Sequence, residues 1–147
     1  MKELHAEIEI QATAERVWQL LTDFERFPQW NPFIRQVKGQ AKVGAKLEAH
    51  IQPSGASEMT FKPTILTAEP DRELRWLGRL IMPGLFDGEH VFTIETLGEN
   101  RVRFMQREIF TGILVPLFAR SLDTDTLRGF NEMNQALKDR AEAAGHE

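Results

Sequence analysis

An α+β fold is predicted for this 147-residue chain by two features: short alternating segments between Leu4 and Phe110, then one long helical stretch. A hydrophobic content of 41% adds a third observation, since at this length it fits one domain, 1–147, burying about two thirds of the unfolded surface.

Leu4, Ala6, Ile8 and Ile10 alternate with Glu3, His5, Glu7, Glu9 and Gln11, the two-residue period of a half-buried strand. Thr13 is placed to cap a short helix whose apolar side is Val17, Trp18, Leu20 and Leu21. The connector FERFPQWNPFI, from Phe24 to Ile34, follows. Pro28 and Pro32 forbid a long helix there, so Phe24, Phe27, Trp30 and Phe33 ride on a bent segment that must be buried or line something.

Turn residues then divide the chain into an antiparallel meander. Strands are expected near Ile34 to Lys38, Ala45 to Gln52, Glu58 to Ala68, Glu73 to Leu80, His90 to Leu97 and Val102 to Phe110. Parity turns Trp76 inward with Leu74, Gly78 and Leu80, and Arg75 and Arg79 outward. In the last strand Arg101, Arg103 and Arg107 share one face. Val102, Phe104, Gln106, Glu108 and Phe110 take the other, which sets two polar groups on an apolar inner surface. A three-residue loop of Gly98, Glu99 and Asn100 would pair Leu97 with Arg101, and that register sets His90 opposite Glu108. Their Cβ atoms would lie about 5 Å apart, close enough for a charge-assisted hydrogen bond.

The stretch from Gly112 to Ala144 reads as one terminal helix. Leu127, Phe130, Asn134, Leu137 and Ala141 recur at three- and four-residue steps, widened by Met133 and Ala136, which makes one apolar face in need of a partner. Pro116 suits a first helical turn, whereas Ser121 and Asp123 suit the cap of a later start, and the sequence leaves the choice open. Asp123 and Asp125 fall near that start, where carboxylates favour the helix dipole. Gly145 is the expected stop.

Composition excludes several classes of function. The net charge is -4 and no Lys/Arg run is present, so nucleic acid is not an expected partner. Without cysteine there is no disulfide, thiol nucleophile or thiolate metal site. The four histidines, His5, His50, His90 and His146, include no pair at ligand spacing, so no metal is expected. No nucleophile elbow, dinucleotide fingerprint or phosphate loop occurs, and no cofactor is expected. The N-terminus lacks a signal-peptide core and no run of about 18 apolar residues offers a transmembrane segment, so the expected location is cytoplasmic.

The first strand and short helix, the WNPF connector, the meander, GEHVF, QREIFTGILVP and the closing GFNEMNQALKDRAE together resemble the SRPBCC superfamily, the START-like group, in its polyketide cyclase/dehydrase-like branch. The resemblance covers essentially the whole chain. It implies the helix-grip fold: two short helices after strand 1, and a curved antiparallel β-sheet wrapped around a long C-terminal α-helix, with a cavity for an apolar ligand between them. Functions in this superfamily range from lipid carriage to ring-closing catalysis, so fold does not settle function.

The expected ligand-binding residues are Trp30, Phe33, Phe61, Trp76, His90, Phe92, Glu108, Phe110, Phe130, Met133 and Asn134. Pockets are mostly apolar with a few polar groups, although the same aromatics equally serve as plain core. His90 and Glu108 are the catalytic candidates; their structural alternative is a mutual hydrogen bond within the sheet. Two apolar stretches, Ile81 to Phe86 and Ile113 to Phe118, are expected to fold over the cavity mouth as a lid, or else to meet a lipid surface or second subunit. Gly84 and Gly112 would permit them to move. Three functions compete. A carrier of a small hydrophobic molecule, acting as monomer or homodimer, is favoured over a cyclase or dehydratase that moves a proton through His90 or Glu108, because the inner face offers so few titrating groups. A regulatory module contacting a partner through the Met82 to Phe86 loop is the third.

Overall fold

The computed structural model describes residues 1–80 and 82–143. β1 (Lys2–Ile10) leads into α1 (Ala14–Thr22), a 3₁₀ turn (Phe24–Arg26) and α2 (Phe27–Trp30). Among the described residues eight strands precede the terminal helix: β2 (Ile34–Lys38), β3 (Glu48–Ile51), β4 (Met59–Phe61), β5 (Thr64–Glu69), β6 (Glu73–Leu80), β7 (Phe86–Gly98) and β8 (Arg101–Thr111) follow β1. They form an antiparallel sheet in the order β1-β8-β7-β6-β5 and a smaller one in the order β2-β3-β4.

Local chemistry accounts for the early elements. The Thr13 side chain accepts a hydrogen bond from the Arg16 amide at 3.1 Å, the expected cap of α1. Pro28 sits in the first turn of α2, where no amide is needed, and so shortens the helix without breaking it. Asn31 closes the connector by accepting from the amides of Phe33 and Ile34 at 3.0 and 2.9 Å.

The two sheets are joined through one long hairpin. β3 and β4 pair as Ala49↔Phe61 and Ile51↔Met59, and the same offset continues to Lys46↔Thr64. The Leu47 amide donates to the Pro63 carbonyl at 2.8 Å and the Ile65 amide to the Ala45 carbonyl at 2.9 Å. Pro63 itself has no amide to give, so the ladder is interrupted there. That is why the strand expected over Glu58 to Ala68 resolves into Met59–Phe61 and Thr64–Glu69.

Residues Val115–Ser121 (α3), a π-helical turn at Leu122–Thr126 and Leu127–Glu142 (α4) run on as one 28-residue helix. At 1.5 Å per residue it is about 42 Å long. Pro116 lies in its first turn, which decides the start that the sequence left open. The capping roles expected of Ser121, Asp123 and Asp125 do not hold, because the helix is already under way at those positions. Asp123 pairs instead with Lys2 at 2.6 Å and Asp125 with Arg128 at 3.0 Å. In the wide turn the Leu127 amide reaches the Leu122 carbonyl, five residues back. The expected stop at Gly145, and Ile81 in the expected lid, lie outside the described residues.

The core sits between α4 and the inner face of the large sheet. Phe130, Met133, Asn134, Leu137 and Ala141 are buried along the helix, as its periodicity requires. Gly129 belongs to the same face for a steric reason: a Cβ there would stand 2.2 Å from the Phe33 ring. The far end of α4 is tied to the N-terminal segment. Glu142 accepts from the Gln11 amide at 2.6 Å, and Lys138 donates to the Glu9 carbonyl at 3.1 Å.

Candidate functional site

Inward positions of neighbouring strands line up in rows. One row is Trp76↔His90↔Glu108, and the next towards α3 is Gly78↔Gly88↔Phe110. Two of the three positions in that second row carry no side chain, while α3 approaches from above. A cavity of about 240 Å³ opens there. Gly78, Gly88 and Pro63 form its floor, Phe33, Phe61, Trp76, Phe86 and Phe110 most of its walls, and Phe118 and Leu122 reach it from the helix. The polar groups on its wall are His90, Glu108, Ser121 and Thr126.

The hairpin at its tip differs from expectation, but the register does not. Gly98 pairs with Arg101 across a two-residue Glu99-Asn100 turn, and a bulge between Thr96 and Gly98 absorbs the difference. Thr96↔Val102 and His90↔Glu108 therefore stand as the longer loop required. β7 begins at Phe86, earlier than the expected start at His90, and this turns Phe86 and Gly88 from loop residues into cavity wall.

His90 is buried at 1% exposure and held on every side. Its ring stacks on Phe92 with centroids 4.1 Å apart and lies 5.0 Å from Phe130 and 5.9 Å from Trp76. Nε2 is 2.9 Å from Gln106 Oε1. The Gln106 amide donates to the Phe130 carbonyl at 3.3 Å and to Asn134 Oδ1 at 2.8 Å. Because a backbone carbonyl only accepts, Gln106 must turn its NH₂ to the helix and its oxygen to the imidazole, so His90 Nε2 carries a proton. Nδ1 faces Glu108 Oε1 at 3.3 Å. The expected pair is thus in contact, but the aligned hydrogen bond of the imidazole goes to Gln106. Glu108 Oε2 has no hydrogen-bond partner among the described residues. It lies over Gly88, where a Cβ would stand 2.5 Å from it.

On the outer face of the same strands Arg75 bridges Glu89 at 2.7 Å and Glu73 at 3.0 Å. The hydrogen bond to Glu89, above all, raises the Arg75 guanidinium above its usual range.

Of the residues expected to bind ligand, Phe33, Phe61, Trp76, His90, Glu108 and Phe110 come together on the cavity wall. Phe92, Phe130, Met133 and Asn134 do not reach it. They are buried in the core between α4 and the sheet. Trp30 packs edge-on against Phe27 at 5.3 Å, away from the cavity. Sequence reasoning missed Phe86, Gly88 and the α3 residues Phe118 and Ser121. Parity counted back from His90 would have found the first two. Gln106 was legible as an inward polar group, but its grip on both His90 and α4 was not.

The two apolar stretches are joined to each other, and each sends one phenylalanine, Phe86 and Phe118, to the cavity wall. The Ile113 and Leu114 amides donate to the Gly84 and Leu85 carbonyls at 3.1 and 2.9 Å. Gly112 has φ +123°, and a Cβ there would stand 2.3 Å from the Leu85 carbonyl oxygen. Close backbone approach, rather than freedom to move, is what this glycine provides. Ile113 and Leu117 remain about three-quarters exposed.

The family described as polyketide cyclase/dehydrase and lipid transport matches residues 1–142. Among solved structures, the chain is similar to a hypothetical protein from Helicobacter pylori, with 17% identity and a TM-score of 0.79 over 96% of this chain and 88% of that one. A START superfamily protein from Mycobacterium smegmatis shares 20% identity, TM-score 0.72, covering 95% and 97%. Norcoclaurine synthase from Thalictrum, solved with a transition-state analogue, shares 13% identity, TM-score 0.70, covering 94% and 92%. At these identities the structural likeness speaks for the fold alone. No curated protein sequence matches the chain. No described helix is long and apolar enough to cross a membrane.

Proposed function

Because the chain belongs to the family of polyketide cyclases, dehydrases and lipid-transport proteins, we propose that it binds and carries a small hydrophobic molecule in the cavity under α3. Lipid, polyketide and other aromatic or isoprenoid compounds are the classes in view. The observation that carries this reading is an apolar cavity built at a row of missing side chains, Gly78 and Gly88, with aromatic walls and one carboxylate. Its volume of about 240 Å³ is just under the roughly 300 Å³ at which drug-sized pockets begin. A one- or two-ring ligand fits that space.

The test is native mass spectrometry of freshly purified protein, with organic extraction of whatever it carries. A discrete apolar molecule bound at one per chain is the expected result. A protein that emerges empty and then binds no member of a lipid, polyketide and isoprenoid panel overturns the reading.

A second reading, a cyclase or dehydratase, draws on the contact between Glu108 and His90 at the cavity wall. In it the carboxylate takes a proton from the bound substrate, and the imidazole, fixed by Gln106, holds that carboxylate in position. Glu108→Gln separates the two: turnover abolished with binding intact favours the enzyme, whereas proportional loss of both marks a binding contact.

A further inference from the structure

Charge on the cavity wall restricts the ligand more narrowly than its shape. Among the described residues that line the cavity none is lysine or arginine, and the ionisable groups are His90 and Glu108. His90 cannot offer a second free donor to a ligand, since Nε2 is engaged by Gln106 and Nδ1 faces Glu108. The Ser121 and Thr126 hydroxyls donate or accept equally and do not discriminate. What remains is an acceptor: Glu108 Oε2, held over Gly88 beside the empty positions of the floor.

We propose that Glu108 makes this cavity selective for uncharged molecules bearing a hydrogen-bond donor, such as phenols and alcohols, over carboxylates and other anions of the same skeleton. The inference rests on the cavity being a ligand site. A hydroxyl placed beside Gly88 donates to Oε2, the carboxylate acceptor on an otherwise mostly apolar wall. An anion in the same place loses its hydration, meets a like charge a few ångströms away and finds no cation to compensate. Discrimination of this kind works by repelling the wrong ligand as much as by holding the right one. A ligand carboxylate or phosphate therefore has no seat here, although the apolar walls accept its skeleton.

Matched probes decide the matter: naphthalene, 2-naphthol and 2-naphthoate, measured by equilibrium dialysis at pH 7 against the whole chain. The hydroxyl compound should bind at least about tenfold more tightly than the carboxylate. Glu108→Gln removes the charge at constant shape and should narrow that ratio to within about threefold, chiefly by admitting 2-naphthoate. Gly88→Ala is an independent check, because its Cβ would displace Oε2 and should likewise erode the preference while circular dichroism stays native. Equal binding of 2-naphthoate and 2-naphthol by the unaltered protein overturns the inference, as does a ratio that survives Glu108→Gln. If naphthalene binds as well as both, the inference falls and the cavity reading stands. If none of the three binds, the cavity reading falls and takes the inference with it.

Discussion

The inner face of the large sheet has two ends built from the same strands with opposite results. At the end under α4, the inward positions Leu74, Phe92, Ile94, Val102 and Phe104 are filled, and Phe130, Met133 and Leu137 are buried with them. At the end under α3, the inward row is Gly78↔Gly88↔Phe110, and a cavity takes the place of packing. The Gln106–His90–Glu108 group divides the two. Gln106 is wholly buried and bonded to α4, while Glu108 turns one oxygen to the cavity. Alternation of apolar residues thus builds a face, but whether that face becomes core or cavity depends on side-chain size at two positions and on what the helix brings above them.

The largest effect that can break this comparison is Phe92→Ala, at the filled end. Removing a fully buried ring that stacks on His90 and meets Trp76 should cost about 3–5 kcal/mol in chemical denaturation. A cost under about 1 kcal/mol would show that this end is not close-packed. Phe61→Ala, at the open end, should do the reverse. Its half-buried ring lines the cavity, so stability should fall by less than about 1 kcal/mol, while affinity for an aromatic ligand drops about tenfold, equivalent to about 1.4 kcal/mol of lost apolar burial. If Phe61→Ala unfolds the protein and leaves affinity alone, the division between ends fails.

The smallest effect concerns the tether of α4. The Gln11 amide and then Lys138 hold the Glu142 carboxyl below its ordinary value. A depressed carboxylate stabilises the fold in full above the unfolded-state value, and that contribution is lost as pH falls through the folded one. Glu142→Gln should therefore cost about 1 kcal/mol at pH 7. The difference from the unaltered chain should close in acid. A gap that is the same at pH 7 and pH 3 would assign the effect to packing instead of charge.

Much of the candidate site was legible before the structure. Period-two alternation turned Trp76, His90, Glu108 and Phe110 inward, and the His90↔Glu108 register survived an error in the loop because a bulge restored it. Three of the five expected ligand contacts that lie elsewhere share one physical cause. Burial makes the same demand on a side chain whether it faces another side chain or a void, so Phe92, Phe130 and Met133 carry no mark that separates core from wall. Trp30 was placed by composition alone, on a connector whose bends depend on Pro28 and on the Asn31 hydrogen bonds.

By itself the sequence determined the strand order of inward and outward residues, the apolar stripe of the terminal helix and the polar group set among aromatics. These follow from local periodicity, which is a property of neighbours along the chain. Tertiary structure decided where the cavity lies, because a cavity is the volume left when distant surfaces fail to meet. It also decided that Gln106 fixes the His90 tautomer from a helix carbonyl 24 residues away, and that the long helix begins at Val115 with a π-helical turn over the site. Such features depend on which carbonyl or ring arrives opposite a residue after folding, and no spacing along the chain records that.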